Sequence, residues 1–239
     1  VGLSTRFEAA GIPNVKWMIV KSVLGLPVRP AYTLADMADD GIGLLDHLDV
    51  AGAHVVGVSM GGMISQHIAA RYPQRVLSLT SVMSTTGNRR LPRAQKEAMQ
   101  VLANRPMSGD KEALIAYSVN AARVIGSPGY PADEARLQRR VRADFERGWY
   151  PQGVARQMAA IVADGDRRAM LKDIAAPTLV IHGEDDPLVP IDGGRDTAAN
   201  IAGARLLTIP GMGHDLPLAL VDTLADAIAE HAKGVAVAA

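Results

Sequence analysis

The amino-acid sequence predicts an α/β fold in which helices flank a parallel β-sheet. Four short apolar runs indicate strands, at residues 54–58, 76–83, 178–182 and 204–209. Their apolar residues are nearly continuous rather than alternating, which is typical of parallel strands buried on both faces. Helical patterns lie between the runs, and this alternation favours a parallel sheet with right-handed crossovers.

The helical patterns have definable starts and buried faces. The first helix presents one apolar face, made of Leu34, Met37, Ala38, Gly41, Leu45 and Leu48. Thr33 with Asp36 fits a capping box at its start. A second helix is predicted from Met60 to Arg71, because it follows the first strand directly and ends before Pro73. The C-terminal helix is expected to bury Leu218, Val221, Ala225 and Ile228.

The middle of the chain carries helical patterns only, interrupted by several prolines. It separates two core strands by about 90 residues, which is far beyond the usual length of a connection. We therefore predict an all-helical cap, at residues 84–171, inserted into a sheet core. Residues 1–83 and 172–239 would form the two parts of that core, with the cap over the ends of the strands.

Composition excludes several classes of protein. The chain has 239 residues, of which 48% are hydrophobic and 21% charged, as in ordinary globular proteins. Because 25 basic residues balance 25 acidic ones, we expect no nucleic-acid partner. Cysteine is absent, which rules out disulfides, thiolate metal sites and a cysteine nucleophile. There is no metal-ligand spacing and no phosphate loop, so we expect no metal. No apolar run approaches 18 residues and the N-terminus has no signal pattern, so we expect no membrane span and a cytoplasmic location.

The strongest local motif is G-x-S-x-G at residues 57–61, between a predicted strand and a predicted helix. A nucleophilic serine needs a tight turn that exposes its hydroxyl, and Gly57 and Gly61 are expected to lie where side chains would clash. The helix start would then aim the backbone N–H of Met60 at a developing oxyanion. The alternative is a glycine-rich turn with an incidental Ser59.

A serine nucleophile needs a base, and a base needs an orienting acid. His214 lies in a glycine-rich loop after the last strand, where ligands meet a parallel sheet. Apart from His214 and His182, the four other histidines fall in helix or strand patterns, where a structural role is expected. Three acids follow the third strand, and we choose Asp186 as the partner of His214, with Asp185 as the second choice. The order Ser59, Asp186, His214 is the order of the hydrolase triad on this type of sheet.

Candidates for substrate contact are Met63, Trp149, Leu188 and Leu216. Met63 follows the proposed nucleophile by one helical turn, and its alternative role is to pack the helix on the sheet. Trp149 belongs to the few aromatic residues of the predicted cap, and packing is its alternative role.

Together, residues 57–62, 182–190 and 211–214 resemble α/β hydrolases with a helical cap, in the esterase branch that includes aclacinomycin methylesterase-like proteins. The opening residues 1–6 resemble a segment that follows an early core strand in this family. The resemblance implies a serine esterase with Ser59 as nucleophile, Asp186 as acid and His214 as base, which acts on a small-molecule ester without a cofactor.

The same resemblance predicts a difference at the front of the fold. Family members have further strands before the segment matched by residues 1–6, and a loop there supplies a second oxyanion donor. We therefore expect the N-terminal strands to be missing, the edge beside the first strand to be unpaired, and a partner or missing segment to complete it.

Three other functions use the same residues. A perhydrolase of the cofactor-free haloperoxidase type and an amide or peptide hydrolase would keep the triad, because the pocket rather than the triad selects the substrate. A non-catalytic scaffold on this fold is less favoured, because all three triad residues are present. A haloalkane dehalogenase is excluded, since it would need Asp in place of Ser59.

Overall fold

The computed structural model describes residues 6–235. The first five residues, which carry most of the N-terminal resemblance, lie outside the described range. Within it the strands are β1 (Ala53–Val58), β2 (Val76–Val82), β3 (Thr178–Gly183) and β4 (Arg205–Ile209). The helices are α1 (Val15–Val23), α2 (Leu34–His47), α3 (Met60–Arg71), α4 (Lys96–Ala103), α5 (Lys111–Ile125), α6 (Glu134–Arg147), α7 (Pro151–Asp164), α8 (Arg168–Leu171), α9 (Asp192–Asn200) and α10 (Val221–Lys233). Single 3-10 turns occur at Glu8–Ala10, Pro73–Arg75 and Leu218–Leu220.

The four strands form one parallel sheet in the order β1-β2-β3-β4, which confirms the predicted fold class. Val55 pairs with Leu79, Thr80 with Leu179, and Ile181 with Leu207. Because all strands run the same way, the loops that follow β1, β3 and β4 meet at one edge of the sheet. In the described residues β1 forms one border of the sheet, as the sequence predicts.

Two apolar clusters cover the two faces of the sheet. On one face Ile181 and Val82 pack with Leu220 and Leu224, at and before the start of α10. On the other face Leu79 packs with Ala69 of α3 and Leu171 of α8. The core is therefore a three-layer sandwich of helix, sheet and helix, in which β2 and β3 are the most buried strands.

The prediction that every strand is buried on both faces is wrong for the outer strands. His54, Val56 and Val58 of β1 are exposed, and so are Arg205 and Leu206 of β4. The exposed side of β1 is the one that α10 covers on the inner strands, and α10 packs on β2 instead. Apolar composition alone therefore overestimated the burial of an outer strand.

The two flanking helices differ in how well their buried faces were predicted. In α2 the predicted face is confirmed at Leu34 and Ala38, which are buried, whereas Leu48 is exposed and Ile42, which lay outside that face, is buried. The capping box of Thr33 with Asp36 is confirmed. In α10 the predicted face is wrong for Leu218, Val221 and Ala225, which are exposed, whereas Ile228 packs against the core as predicted. Leu224 and His231 are buried instead. The buried side of α10 is the one that carries Leu224, Ile228 and His231, and Leu218 precedes the helix in a 3-10 turn.

Between β2 and β3 the described chain forms helices only, from α4 to α8. Helices α5 and α6 share their own small cluster, in which Ile115 and Val119 pack with Leu137 and Val141. Helix α7 instead contacts α1 and α2. The boundaries of a cap at residues 84 and 171 stay a prediction. None of the described helices has the length and apolar composition that a bilayer crossing requires.

Candidate active site

Ser59 lies in a strained turn between β1 and α3. Its φ of 54° and ψ of −117° are unusual for a residue with a side chain, and such a conformation costs about 1–3 kcal/mol. The turn is held from both sides, because the Ser59 N–H donates to Val82 O at 2.8 Å and its carbonyl accepts from the N–H of Gly62 at 2.9 Å. These two hydrogen bonds thus hold Ser59 in the strained conformation, in which its hydroxyl projects from the turn.

Only part of the glycine requirement follows the prediction. A Cβ on Gly57 would lie 2.2 Å from the carbonyl oxygen of Gly61, so position 57 has no room for a side chain. For Gly61 itself no described atom lies within 4 Å of the added Cβ, so the expected clash there is wrong. The second tight position is Gly62, whose Cβ would lie 2.6 Å from Cβ of Ser84. Helix α3 therefore approaches the β2 loop one residue later than expected.

Three predicted residues come together at the carboxyl edge of the sheet. His214 Nε2 lies 2.9 Å from Oγ of Ser59, and His214 Nδ1 lies 2.7 Å from Oδ2 of Asp186. Asp186 and His214 are both buried, with 0% and 7% of their side-chain surface exposed. This arrangement gives one continuous hydrogen-bonded chain from a hydroxyl through an imidazole to a carboxylate.

Each of the three acids after β3 has a different partner. Asp186 faces His214, and its other oxygen accepts the N–H groups of Leu188 and Val189 at 2.9 and 2.8 Å. Asp185 instead accepts the N–H of Gly211 at 2.8 Å and is exposed. Glu184 accepts the hydroxyl of Thr208. The geometry favours the first choice, Asp186, over the second choice, Asp185, as the partner of the histidine.

A fourth residue, His182, lies next to the hydrogen-bonded chain of these three side chains, on the side of Asp186. It is fully buried, its Nε2 lies 2.8 Å from Val189 O, and the same nitrogen is 3.7 Å from Oδ2 of Asp186. Burial lowers the pKa of His182, and it outweighs the opposite effects of the Val189 carbonyl and Asp186. His182 is therefore a neutral donor that supports the loop carrying Asp186. In the sequence it stood at the end of a buried strand and at the start of the segment 182–190 that carries the family resemblance, and neither position indicated this contact.

The loop that carries His214 is held by the segment between α5 and α6. The His214 N–H donates to Ile125 O at 2.7 Å, and the Gly129 N–H donates to Gly211 O at 2.9 Å. Between them, the buried Ser127 hydroxyl accepts the Gly213 N–H at 2.8 Å and donates to Asp215 at 2.5 Å. The inserted helices therefore contribute directly to the position of His214, which the sequence did not reveal.

The remaining candidates are spread over different surroundings. The N–H of Met60 belongs to the first residue of α3, where helical N–H groups lack an intrahelical acceptor. Met63 is buried between Leu34 and Ala160, so it packs α3 against neighbouring helices. Leu188 is half-buried beside Asp186, and Leu216 is 48% exposed just after His214. Trp149 lines a separate pocket among the inserted helices.

A buried ionic network behind α3 also escaped prediction. His67 Nε2 lies 2.7 Å from Oδ1 of Asp164, and Arg167 pairs with the other oxygen of that carboxylate. Burial alone would raise the pKa of Asp164, but the hydrogen bond from His67 and the charge of Arg167 hold it below its usual value. Arg167 also donates to Gln66 of α3 and to the carbonyl of Thr85. The network fastens the end of α7 to the back of the helix that follows Ser59.

Comparison with known proteins places this geometry in a family. The family model of the alpha/beta hydrolase fold matches residues 24–218, which is most of the chain. The chain belongs to the α/β-hydrolase fold family. The strand order, the turn at Ser59 and the chain order of the three residues are those expected of an α/β hydrolase.

Named relatives of this α/β hydrolase include esterases. It is 30% identical to a rhodomycin D methylesterase from a Streptomyces species (strain C5), over 86% of this chain and 75% of the relative. It is also 30% identical to a pimeloyl-[acyl-carrier protein] methyl ester esterase from Chromobacterium violaceum, over 75% of this chain and 69% of the relative. A solved structure of a hydrolase from Pseudomonas aeruginosa superposes with a TM-score of 0.63 at 30% identity, covering 87% of this chain and 74% of that one.

Proposed function

We propose that the protein is a carboxylic ester hydrolase that works through Ser59, His214 and Asp186 and through an acyl-enzyme. The observation that carries the proposal is the hydrogen-bonded chain of these three residues, at 2.9 and 2.7 Å, ending at a serine in a strained turn. Relatives that are named methylesterases support ester bonds as the substrate class.

The geometry supports a two-step reaction. Ser59 Oγ attacks the ester carbonyl while its proton passes to His214 Nε2, and the new oxyanion is stabilised by the N–H of Met60. The tetrahedral intermediate expels the alcohol, which takes the proton from His214, and leaves an acyl group on Ser59. Water then gives a proton to His214 and attacks the acyl group, releasing the acid and restoring Ser59.

Asp186 has a positioning part in this scheme. Its carboxylate accepts a hydrogen bond from the N–H at His214 Nδ1, which leaves Nε2 unprotonated and able to take the proton of Ser59. The two backbone N–H groups of Leu188 and Val189 fix the other oxygen, so the carboxylate cannot turn away from the imidazole. The buried pair is thus preorganised for the imidazolium that forms during the attack.

The test compares the intact chain with Ser59→Ala on a short-chain p-nitrophenyl ester. We expect a loss of kcat of about 10⁶-fold, as for removal of a triad serine, without loss of the fold by circular dichroism. Ser108→Ala, which changes an exposed serine, is the matched control and should keep full activity. A folded Ser59→Ala protein with an unchanged rate would refute the proposal.

A phosphonate that labels active serines gives an independent readout. Labelling mapped to Ser59 by mass spectrometry supports the nucleophile, whereas a folded chain that is not labelled favours the scaffold alternative. Amide hydrolysis and perhydrolysis are tested on a p-nitroanilide and in a peroxide-dependent assay. If either reaction has a higher kcat/KM than ester hydrolysis, that reaction becomes the proposed activity of the same triad.

A further inference from the structure

A pocket among the helices between β2 and β3 contains an arginine that has no ion-pair partner among the described residues. It has a volume of about 380 Å³, within the usual range for small-molecule sites. Its walls are mostly apolar or aromatic, and include Tyr117, Ile125, Phe145 and Trp149. Arg105, in the connection between α4 and α5, lies in the same lining. It is half-buried, and it makes no ion pair with any residue of the described chain.

Two buried donors in this pocket have no acceptor. The Nε of Arg105 and the Nε1 of Trp149 are both enclosed, and neither has a hydrogen-bond partner among the described residues. The guanidinium lies over the indole ring, 4.9 Å from its centroid. Burial lowers the pKa of Arg105, and no carboxylate offsets this effect. A half-buried guanidinium and buried N–H donors without acceptors are costly, and an acceptor with negative charge would offset this cost.

The neighbouring polar groups do not supply that acceptor. The hydroxyl of Tyr117 donates to the carbonyl of Val101 at 2.6 Å, and the hydroxyl of Ser118 donates to that of Leu114 at 2.9 Å. Asp144 and Arg147 also line the pocket, but both are exposed and neither pairs with Arg105 in the described structure. The buried polar atoms that lack a partner in this pocket are therefore donors.

We infer that this pocket binds the carboxylate of a small organic acid, with Arg105 as its charged partner and Trp149 as a second donor. A planar guanidinium matches a carboxylate better than an ammonium group does, because it can offer two parallel N–H bonds. The aromatic walls suit an apolar body attached to that carboxylate. The charge fixes the orientation of the ligand and the walls supply the buried area.

The pocket is connected to the proposed triad through one hydrogen bond. Ile125 lines the pocket, and its carbonyl accepts the N–H of His214 at 2.7 Å. The carboxylate can therefore come from two sources. It is either a distal group of the ester substrate, which rests on the proposed function, or a separate organic acid that binds beside the His214 loop.

Trp149 itself reports binding. The chain has two tryptophans, and Trp17 lies 52% exposed on α1, so Trp17→Phe leaves Trp149 as the single indole. We expect benzoate to give a saturable change in the fluorescence of this variant, and benzamide, its neutral counterpart, to give none. Arg105→Gln should weaken benzoate binding by about tenfold or more, as expected for loss of a charged hydrogen-bond partner.

Two further variants keep the test sharp. Arg105→Lys retains the charge without the planar fork and should also bind benzoate more weakly. Arg139→Gln, which changes an exposed arginine of α6 outside the pocket, should bind as the parent does. Ser59→Ala must bind benzoate normally, so failure of the catalytic proposal would not affect this result. A missing benzoate signal, an equal response to benzamide, or full binding by Arg105→Gln in folded protein would each overturn the inference.

Kinetics then separates the two sources of the carboxylate. If the group belongs to the substrate, benzoate competes with p-nitrophenyl hemiglutarate, and Arg105→Gln raises KM for this hemiester but not for p-nitrophenyl pentanoate. If it belongs to a separate acid, benzoate changes kcat for both esters without competing. Either pattern supports the carboxylate site and assigns its ligand.

Discussion

At the scale of single residues, the candidate site depends on which of three adjacent acids faces His214. Asp186 is buried and receives two backbone N–H groups on one oxygen and the imidazole on the other. Asp185 is exposed and holds the turn at Gly211. Two adjacent residues of one loop therefore have different contacts: Asp186 faces His214, and Asp185 holds the neighbouring turn.

This difference gives a matched pair of variants. We expect Asp186→Asn to lower kcat for ester hydrolysis by about 10⁴-fold, because an amide at this position can hold the imidazole in the wrong tautomer. Asp185→Asn, which removes the neighbouring charge, should retain most of the activity. Both rates are measured with a p-nitrophenyl ester on variants checked for folding by circular dichroism. Equal losses in the two variants would contradict the assignment of Asp186.

At the scale of elements, the segment between β2 and β3 helps to position the candidate site. Residues 125–129 follow α5 and are hydrogen-bonded to residues 211–214, so one segment of the insertion fixes the backbone of the His214 loop. The glycines of both segments allow this approach, since a Cβ on Gly213 would lie 2.3 Å from Gly126 O. A movement of α5 would therefore move His214 relative to Ser59.

Ser127 is the side chain that tests this coupling. Ser127→Ala removes the acceptor of the Gly213 N–H and the donor to Asp215, so we expect the loop to lose its fixed position. We predict that kcat falls by about tenfold with KM little changed, the size expected when buried polar groups lose a partner. Ser108→Ala, which changes an exposed serine before α5, is the control and should keep kcat.

The rate of phosphonate labelling distinguishes positioning from simple support of the fold. A positioning role slows labelling of Ser59 in folded Ser127→Ala, because His214 then activates the hydroxyl less well. A lower melting temperature with an unchanged kcat and labelling rate would show that Ser127 serves stability alone.

At the scale of the whole molecule, the sequence was most informative where local patterns suffice. The parallel strands follow from short apolar runs, and the start of α2 follows from the pairing of Thr33 with Asp36. The turn at Ser59 was predictable because one local constraint, the lack of space at Gly57, requires glycine. These features depend on residues a few positions apart in the chain.

The features that were missed depend on contacts between distant segments. The exposed face of β1 reflects the position of α10, which no local pattern encodes. The pairing of His67 with Asp164 joins residues 97 positions apart, and the contact of Ser127 with Asp215 joins residues 88 apart. His182 has an ordinary place in a buried strand, and only its packing beneath Asp186 shows its role as a neutral donor.

His182 predicts how the stability of the whole fold changes with pH. Burial lowers its pKa from the ordinary value of 6.5, so below this pH the unfolded chain takes up a proton that the folded chain resists. The unfolded state then binds more protons, and the free energy of unfolding falls as pH falls, by up to about 1.4 kcal/mol per pH unit for one group. Asp164, whose pKa is also lowered, adds a loss of the same sign only below its usual value of 3.8.

The two contributions therefore occupy separate pH ranges, and urea unfolding at pH 7, 6 and 5 isolates the one from His182. His182→Gln keeps an N–H donor for the Val189 carbonyl but cannot be protonated, so its stability should be lower at pH 7 and should change less between pH 7 and 5. His47→Gln, at the exposed end of α2, is the control and should retain the slope of the parent. An unchanged slope in His182→Gln would place the acid sensitivity elsewhere, because the buried imidazole would then not be the group that the unfolded chain protonates first.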